Sequence, residues 1–506
     1  MKKRTVEPGS TERPLSERVA HGAFWMVLMQ VIDRLLGVAS MIVLARLLVP
    51  GDFGLVAMAM SIVALAELLG AFGFDMALIQ NRNAQREDFD SAWTLNILLG
   101  LACGGILTTL AFPASRFYEE PRLVSMIVVL ALAPVLGGFA NIGTVAFRKE
   151  FKFRSEFVYL LTRRVMGFVT TICLALLLKN YWALVFGTVA GRAFGLVLSY
   201  MFHPYRPRVA LGAARAILGF SGWLVVNHIL GFAFHRGAHF VVGKTLGSAA
   251  LGLHTIAYDI ANIPREYMIA PVNRAVYPAY AAISGDKASL ARAYLRVLGM
   301  TAAIALPAGL GIAAISDVLV GVALGERWLA AAPLLGILAV SSAIGATQTN
   351  MVYVYNALGR PHRQTLVMLA YVVVLVPCML VGVDRWQLEG VALAYLVTGL
   401  LHAPLTFTMM ARELAFGWRD YARVLLRPSL SAVLMFAVLK PWLRFDPAAG
   451  FWPGMAILAG GAALGVALYV SSMLALWALA GRPAGAEREF LDLALRLLRK
   501  RAGGPS

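Results

Sequence analysis

The sequence has little charge and almost no cysteine. Only 14% of its 506 residues are Asp, Glu, Lys or Arg, while 59% are apolar; ordinary soluble domains carry about 25% charged residues. No segment is both long and polar enough to fold in water by itself, which excludes a soluble enzyme or a nucleic-acid-binding module. Cys103, Cys173 and Cys378 all lie in apolar runs, so we expect no disulfide framework and no metal site. An integral membrane protein remains.

Apolar runs of helical length fill most of the chain. A bilayer core about 30 Å thick needs about 20 helical residues. The runs lie at 23–45, 52–73, 91–112, 123–146, 156–178, 182–202, 216–241, 249–270, 294–317, 330–357, 364–383, 387–410, 427–443 and 452–478. The predicted fold class is therefore an all-α polytopic bundle of about 14 transmembrane helices.

The net charge of +18 is a topology signal. Lys and Arg concentrate in alternate connections, beginning with the basic segment 1–22, and such segments stay in the cytoplasm. We therefore predict that both termini are cytoplasmic, that 1–22 is a retained tail, and that 481–506 is an amphipathic tail on the membrane face. The positive charge favours contact with anionic membrane lipids and gives no reason to expect nucleic acid.

A weak internal repeat indicates two lobes. LARLLVPGDFGLVAMA at 44–59 aligns with VGKTLGSAALGLHTIA at 242–257, and Gly54 matches Gly252 at an offset of six helices. An even number of helices leaves both copies in the same orientation, as in parallel transporter repeats. We predict a first six-helix lobe at 23–212, a second at 213–410, and two additional helices within 411–480.

Several motifs in one order resemble a known family. LARLLVPGDFGLVAMA, GFDMALIQ (73–80), YWALVFGTVAGR (181–192), LGLHTIAYDIANIP (251–264), GERWLAAAPLLGILA (325–339) and NALGRP (356–361) are similar to the Wzx/WzxC-type lipopolysaccharide and exopolysaccharide flippases of the MOP exporter superfamily. The resemblance runs from about residue 20 to 412. Members of that family often have Asp where this chain has His239, so a carboxylate role cannot be transferred to that position.

The resemblance implies a MATE-like arrangement of two lobes and a transport function without a cofactor. The expected substrate is an undecaprenyl-diphosphate-linked oligosaccharide, moved from the cytoplasmic to the periplasmic leaflet of a bacterial inner membrane by alternating access. Glycosyltransferases and a polymerase of the same pathway are the expected partners. The product would serve exopolysaccharide or O-antigen synthesis.

Charges inside predicted spans are costly and require a partner, water or a function. Arg34 lies about 16 Å into the first span, near the middle of the bilayer, and Arg192 is comparably deep in the sixth. We expect both to line a hydrated cavity for the diphosphate, or else to pair with Asp33, Glu67 or Asp75. The shallower arginines, which could also reach the interface, are Arg163, Arg164 and Arg236. Arginine suits a diphosphate because its planar fork can bind two oxygen atoms.

Besides Asp33 and Glu67, the coupling and gating candidates lie in the seventh and eighth spans. His235 and His239 are four residues apart, a spacing that can hold zinc, but two ligands are too few; a pathway or proton-coupling histidine is the other interpretation. Asp259 and Arg265 flank Pro264, which should kink the helix and could serve as a hinge. The tyrosines that could stack on sugar rings are Tyr258, Tyr267, Tyr277 and Tyr280.

Two other functions compete with the flippase. A cation- or proton-coupled multidrug exporter of the same superfamily should have carboxylates at the depth of the arginines. A membrane glycosyltransferase or polysaccharide polymerase needs acid and base groups held over the membrane surface, whereas the predicted outer loops are too short for a catalytic domain. The sequence also has no G-x-x-x-x-G-K-[ST] motif for ATP.

Overall fold

We analysed a computed structural model of the chain. It describes residues 15–68, 74, 78–79, 81, 83–214, 222–447 and 450–482, without the side chains of 15–21, 23 and 222–228. Asp75, most of the N-terminal tail and the C-terminal tail from 483 lie outside the described residues. The predictions for those segments therefore stay predictions.

All regular elements among the described residues are helical. The α-helices are α1 Leu15–Leu47, α2 Pro50–Leu68, α3 Arg86–Tyr118, α4 Arg122–Leu130, α5 Leu132–Gly138, α6 Ala146–Lys149, α7 Phe153–Leu178, α8 Trp182–Phe202, α9 Gly222–Pro264, α10 Ala270–Ala282, α11 Lys287–Ala323, α12 Ala332–Gln348, α13 Asn350–Ala357, α14 Pro361–Leu414, α15 Trp418–Leu439 and α16 Phe451–Leu479. A π-helix, Arg265–Ile269, joins α9 to α10, and short 3-10 helices occupy Ile142–Val145 and Glu326–Ala331. The predicted all-α class is confirmed.

Within the described residues, 11 helices are long and apolar enough to cross a membrane, or up to 12 if the bent pair Arg122–Gly138 and Ile142–Lys149 forms one span. Two of them, Ile229–Ala282 and Pro361–Leu414, have 54 residues each. A straight helix of that length would extend about 80 Å, more than twice the bilayer core. The number of spans therefore depends on whether these two helices turn back.

Both long helices do turn back. In the first, the Arg265 guanidinium lies 5.7 Å from the Phe234 ring, although a straight helix would separate these residues by about 46 Å; the break is at Gly247, with φ +81°. In the second, the helix breaks at Trp386 and Gln387, and a Cβ on Gly382 would overlap the carbonyl of Gly390. Because each of these helices reverses, each can cross the membrane twice, which brings the number of spans closer to the predicted fourteen. That number stays a prediction.

The chain folds into two compact units. The first comprises Met1–Leu48 and Ala59–His228, and the second Val49–Met58 and Ile229–Ser506. In the first, α7 packs against both α1 and α8, and α3 packs against α5. In the second, α11 is the central helix and packs against α12, α15 and α16. The start of α2 belongs to the second unit. The predicted lobe boundaries stay a prediction.

The two repeat segments meet inside the second unit. A Cβ on Gly54 would overlap the carbonyl of Ser248, and a Cβ on Gly252 would overlap the carbonyl of Pro50. Because Ser248 follows Pro50 by the same offset that relates Gly252 to Gly54, the contact is reciprocal. Two helix starts therefore cross at a distance that only glycine permits.

Candidate substrate-binding sites

In the first unit, α1 and α7 are joined by an ion pair deep in their apolar segments. The Nε atom of Arg164 lies 2.8 Å from Oδ1 of Asp33, and the two side chains are 44% and 50% exposed. Asp33, one of the carboxylates expected to pair with an arginine inside the spans, thus pairs with Arg164. Since charged groups avoid lipid, side chains this exposed within spans indicate a surface that water reaches.

A second pair closes one wall of a cavity in the first unit. Arg192 of α8 lies 3.6 Å from Glu67 of α2, and both residues line a cavity of about 370 Å³. Its other walls come from α3, α5 and the 3-10 helix Ile142–Val145, and their polar residues are Asn96, Asn141 and Thr144. Arg192 therefore both lines a cavity and pairs with Glu67; its role in binding the diphosphate stays a prediction.

The remaining candidate arginines of this unit lie on α1 and α7. Arg34 is partly buried in α1. Arg163 lies over the Tyr159 ring at 5.8 Å and packs along α8, where a Cβ on Gly195 would come within 2.9 Å of its Cδ. Because α7 begins at Phe153, earlier than predicted, Arg163 and Arg164 lie about 15 Å along it. Their depth in the bilayer stays a prediction.

Together, these six side chains form a cationic set. The set comprises Arg34, Arg163, Arg164, Arg192, Asp33 and Glu67. Two of its four arginines pair with its two carboxylates, so its formal net charge is about +2. The carboxylates stabilise the arginines when no anion is bound. An entering diphosphate can take over the bonds of two guanidinium groups by bidentate hydrogen bonding.

In the second unit, the two candidate histidines of α9 have different environments. His239 is 4% exposed and its Nε2 lies 3.5 Å from Nη1 of Arg236, whereas His235 is exposed. The described residues contain no group of three or more potential metal ligands. Asp259 is exposed on the same helix.

Pro264 produces a local change of helix type. The π-helix Arg265–Ile269 begins directly after it, which is the kind of irregularity that often marks functional sites. The guanidinium of Arg265 lies 5.7 Å from the Phe234 ring and would come within 3.3 Å of a Cβ on Gly345. Arg265, the first residue of this π-helix, thus lies beside a glycine of α12, and the predicted kink and hinge at Pro264 stay predictions.

Arg265 borders a cavity of about 230 Å³ inside the second unit. It is lined by side chains of α9, α12, α13 and α14, among them Phe234, His235, Tyr258, Asn262, Ser341, Ser342, Gln348, Gln364, Tyr371, Tyr395 and His402. A second cavity of about 260 Å³ shares His235, Asn262 and Arg265 and extends to Glu266 and Asn273. In the part of the chain that the structure describes, no carboxylate lines the 230 Å³ cavity, which we call the α9–α14 cavity.

Sequence reasoning found only part of the α9–α14 cavity. Arg265 and Tyr258 were predicted, but Tyr371, Tyr395 and His402 come from helices more than a hundred residues later, and single polar residues in apolar spans gave no signal. Tyr280 was wrongly included: it is fully buried and hydrogen-bonded to Asn350. It stabilises the packing of α10 against α13.

Comparison with known proteins agrees with this fold. Residues 43–333 match the family described as "Polysaccharide biosynthesis protein", and the chain belongs to that family. The chain is 25% identical over 416 residues to the lipopolysaccharide biosynthesis protein WzxC of Escherichia coli K12, covering 80% of this chain and 84% of that protein. It is 24% identical over 331 residues to the succinoglycan biosynthesis transport protein ExoT of Rhizobium meliloti, covering 65% and 67%.

Solved structures confirm the predicted MOP-type fold. The lipid II flippase MurJ superposes with a TM-score of 0.71 at 13% identity, covering 90% of this chain and 99% of that one. An inward-facing MATE transporter of the MOP superfamily superposes with a TM-score of 0.62 at 17% identity, covering 78% and 98%. The chain is therefore an integral membrane protein of the polysaccharide biosynthesis family with a MurJ- and MATE-like fold.

Proposed function

We propose that the protein is a flippase for an undecaprenyl-diphosphate-linked oligosaccharide. It moves this lipid from the cytoplasmic to the periplasmic leaflet of a bacterial inner membrane, for exopolysaccharide or O-antigen synthesis. The relatives support the pathway, since they are named for lipopolysaccharide and succinoglycan biosynthesis. The observation that carries the proposal is the cationic set of the first unit, because a diphosphate is the charged part of such a lipid.

The chemistry follows from the cost of moving a diphosphate through hydrocarbon. A charge at the bilayer centre costs about 2.5–3.5 kcal/mol by insertion scales and more in simulations. Arg34, Arg163, Arg164 and Arg192 neutralise the diphosphate, while the polyprenyl chain stays in lipid. Asp33 and Glu67 compete with the anion for these arginines, which keeps binding weak enough for release. Alternating access, the mechanism of its fold class, then exposes the site to each side in turn.

Orientation and pathway complete the proposal. Both termini lie in the cytoplasm, where glycosyltransferases assemble the substrate, and a polymerase consumes the product on the other side. Arg236, His239, Asp259, Pro264 and Arg265 act in coupling, gating or binding in the second unit. No bound cofactor enters the reaction.

A multidrug exporter is less well supported. A site for organic cations needs carboxylates free to meet them, whereas Asp33 and Glu67 are each engaged by an arginine. Efflux of ethidium from cells that express the protein, at a rate that depends on Asp33, would favour the exporter. An enzymatic role has no comparable support, since Asp33 and Glu67, which could act as acid or base, are each paired with an arginine.

Complementation tests the proposal. Deletion of the gene should stop polysaccharide export, and the wild-type gene should restore it. Arg34→Ala and Arg192→Ala should each reduce export at least tenfold at unchanged protein level. The matched control is Arg154→Ala, which removes an exposed arginine near the start of α7 and should export normally. Full export by both cavity variants would contradict the assignment.

A further inference from the structure

We infer that the α9–α14 cavity of the second unit is a binding site for a sugar residue of the transported oligosaccharide. This inference rests on the proposed function and adds the part of the substrate that the arginines of the first unit do not address. It assigns the selection of the glycan to the second unit.

The cavity contains a set of polar groups that are already fixed by the protein. Gln348 Oε1 lies 2.7 Å from Nδ1 of His402, and Gln348 Nε2 donates to the carbonyl of Gly399 at 3.3 Å. Ser342 donates to Asn262 Oδ1 at 3.0 Å. These bonds join α9, α12 and α14 and hold the walls in place without ligand, as a pre-formed site requires.

A second set of polar groups lines the same cavity without forming hydrogen bonds to the protein. Among the described residues, no hydrogen-bond partner exists for the hydroxyls of Tyr258, Tyr371 and Tyr395, for the Gln364 amide or for the Arg265 guanidinium. None of these atoms is fully enclosed by protein, so a ligand in the cavity can contact them. Polar groups of this kind are usually satisfied in a folded protein, and a ligand rich in oxygen would satisfy them.

The aromatic rings narrow the class of ligand. Phe234, Tyr258, Tyr371 and Tyr395 all contribute to the wall, and Tyr258 and Tyr395 lie 5.5 Å apart at an interplanar angle of 46°. A pyranose has one apolar C–H face and a rim of hydroxyl groups, each both donor and acceptor, so it can stack on a ring and bond to its surroundings at once.

Charge excludes the main alternative. An organic cation can stack on aromatic rings, but here it would meet the positive charge of Arg265, the one permanent charge among the described residues that line this cavity, with no acidic residue to offset it. Its guanidinium can donate to two neighbouring sugar oxygens, either hydroxyl or carboxylate. A purely apolar ligand would leave five polar side chains unsatisfied. A saccharide matches the polar groups, the aromatic rings and the charge of this lining.

Binding to the full-length protein in lipid nanodiscs tests the inference. Two probes are compared: synthetic undecaprenyl diphosphate without sugar, and the carrier-linked oligosaccharide extracted from host cells that lack this gene. The wild-type protein should bind the second probe at least tenfold more tightly than the first. Tyr371→Ala and Gln364→Ala should each remove most of this difference while leaving the Kd of the bare carrier unchanged within about twofold. Tyr181→Phe, a tyrosine change in the first unit beside Arg122, should keep the whole difference.

The outcomes separate this inference from the proposed function. If neither carrier probe binds, the flippase proposal itself fails. If the bare carrier binds and the sugar difference survives in Tyr371→Ala, Gln364→Ala and Tyr371→Phe alike, the sugar lies elsewhere and the inference is overturned. Partial loss in Tyr371→Phe, which keeps the ring and removes the hydroxyl, would support both the stacking and the hydrogen-bonding roles.

Discussion

At the residue scale, the central feature of the proposed mechanism is the competition between carboxylates and substrate for the same arginines. The position of each arginine along its helix could be predicted approximately from the sequence, because a helix start and a rise of 1.5 Å per residue suffice. Pairing could not: Arg164 follows Asp33 by more than a hundred residues, and only the packing of α7 on α1 brings them together. The same limit applies to Glu67 and Arg192.

Exchanging the two charges of the Asp33–Arg164 pair distinguishes a role in substrate binding from a purely structural role. Asp33→Arg with Arg164→Asp keeps the ion pair and reverses its direction. If Arg164 serves only to hold α1 to α7, the double variant should transport normally. We expect it to restore the protein level lost in either single variant but to leave export reduced about tenfold or more, because the guanidinium has moved to α1. Export equal to wild type would show that the pair is structural.

A buried carboxylate near the end of α14 has a different role. Glu413 is 3% exposed in its side chain and forms ion pairs with Arg360 and Arg363, which ties α14 to its own beginning. Removing it leaves two arginines with lost partners; since these are 45% and 38% exposed, we expect Glu413→Ala to cost about 1–3 kcal/mol. The measurement is the thermal midpoint of the purified protein. Glu389→Ala, an exposed control, should shift it little, and equal shifts would contradict the assignment.

At the scale of the helices, glycine and proline explain what apolar periodicity could not. The sequence predicted helices in the right places because twenty apolar residues are sufficient evidence of a span. It also placed Gly54 and Gly252 at equivalent points of a repeat. That these two points contact each other depends on the approach of two helix starts, which no pattern within either segment encodes. The π-helix after Pro264 likewise required the structure.

The crossing of the repeat segments can be locked by a disulfide. A Cβ on Gly51 would lie 4.0 Å from Oγ of Ser248, which is compatible with disulfide geometry. In a background without the three native cysteines, Gly51→Cys with Ser248→Cys should crosslink under mild oxidation, as measured by the mobility shift after cleavage between the two positions. Adding Gly54→Leu should prevent the crosslink by forcing the helices apart. Efficient crosslinking in that triple variant would contradict the close crossing.

At the scale of the whole molecule, the distribution of Lys and Arg predicts the orientation in the membrane, which stays a prediction. The turns at Gly247 and Gln387 should face the periplasm, while the connections at Gly285 and Gly359 should face the cytoplasm. Alkaline phosphatase fused after each of these residues tests this, since the enzyme is active only in the periplasm. Activity after 247 and 387 alone is expected. Activity after 285 or 359 would reverse the orientation or remove a fold-back.

The general architecture was the most predictable property of this chain, and the lining of the α9–α14 cavity was the least predictable. Hydropathy and charge bias act over twenty residues or more, so they survive in any single sequence. The α9–α14 cavity depends instead on isolated side chains such as Tyr371 and His402, each surrounded by apolar neighbours in the sequence. Their significance arises only where four helix segments converge.

The most direct test of the account is lipid translocation in a purified system. Proteoliposomes would contain the wild-type protein or Arg34→Ala with Arg192→Ala, together with a fluorescent undecaprenyl-diphosphate-linked sugar, and dithionite would quench the outer leaflet. The wild-type protein should make nearly all of the probe accessible, whereas the double variant should leave about half protected, as in protein-free liposomes. Equal translocation by both proteins would contradict the claim that the arginines of the first unit carry the diphosphate across.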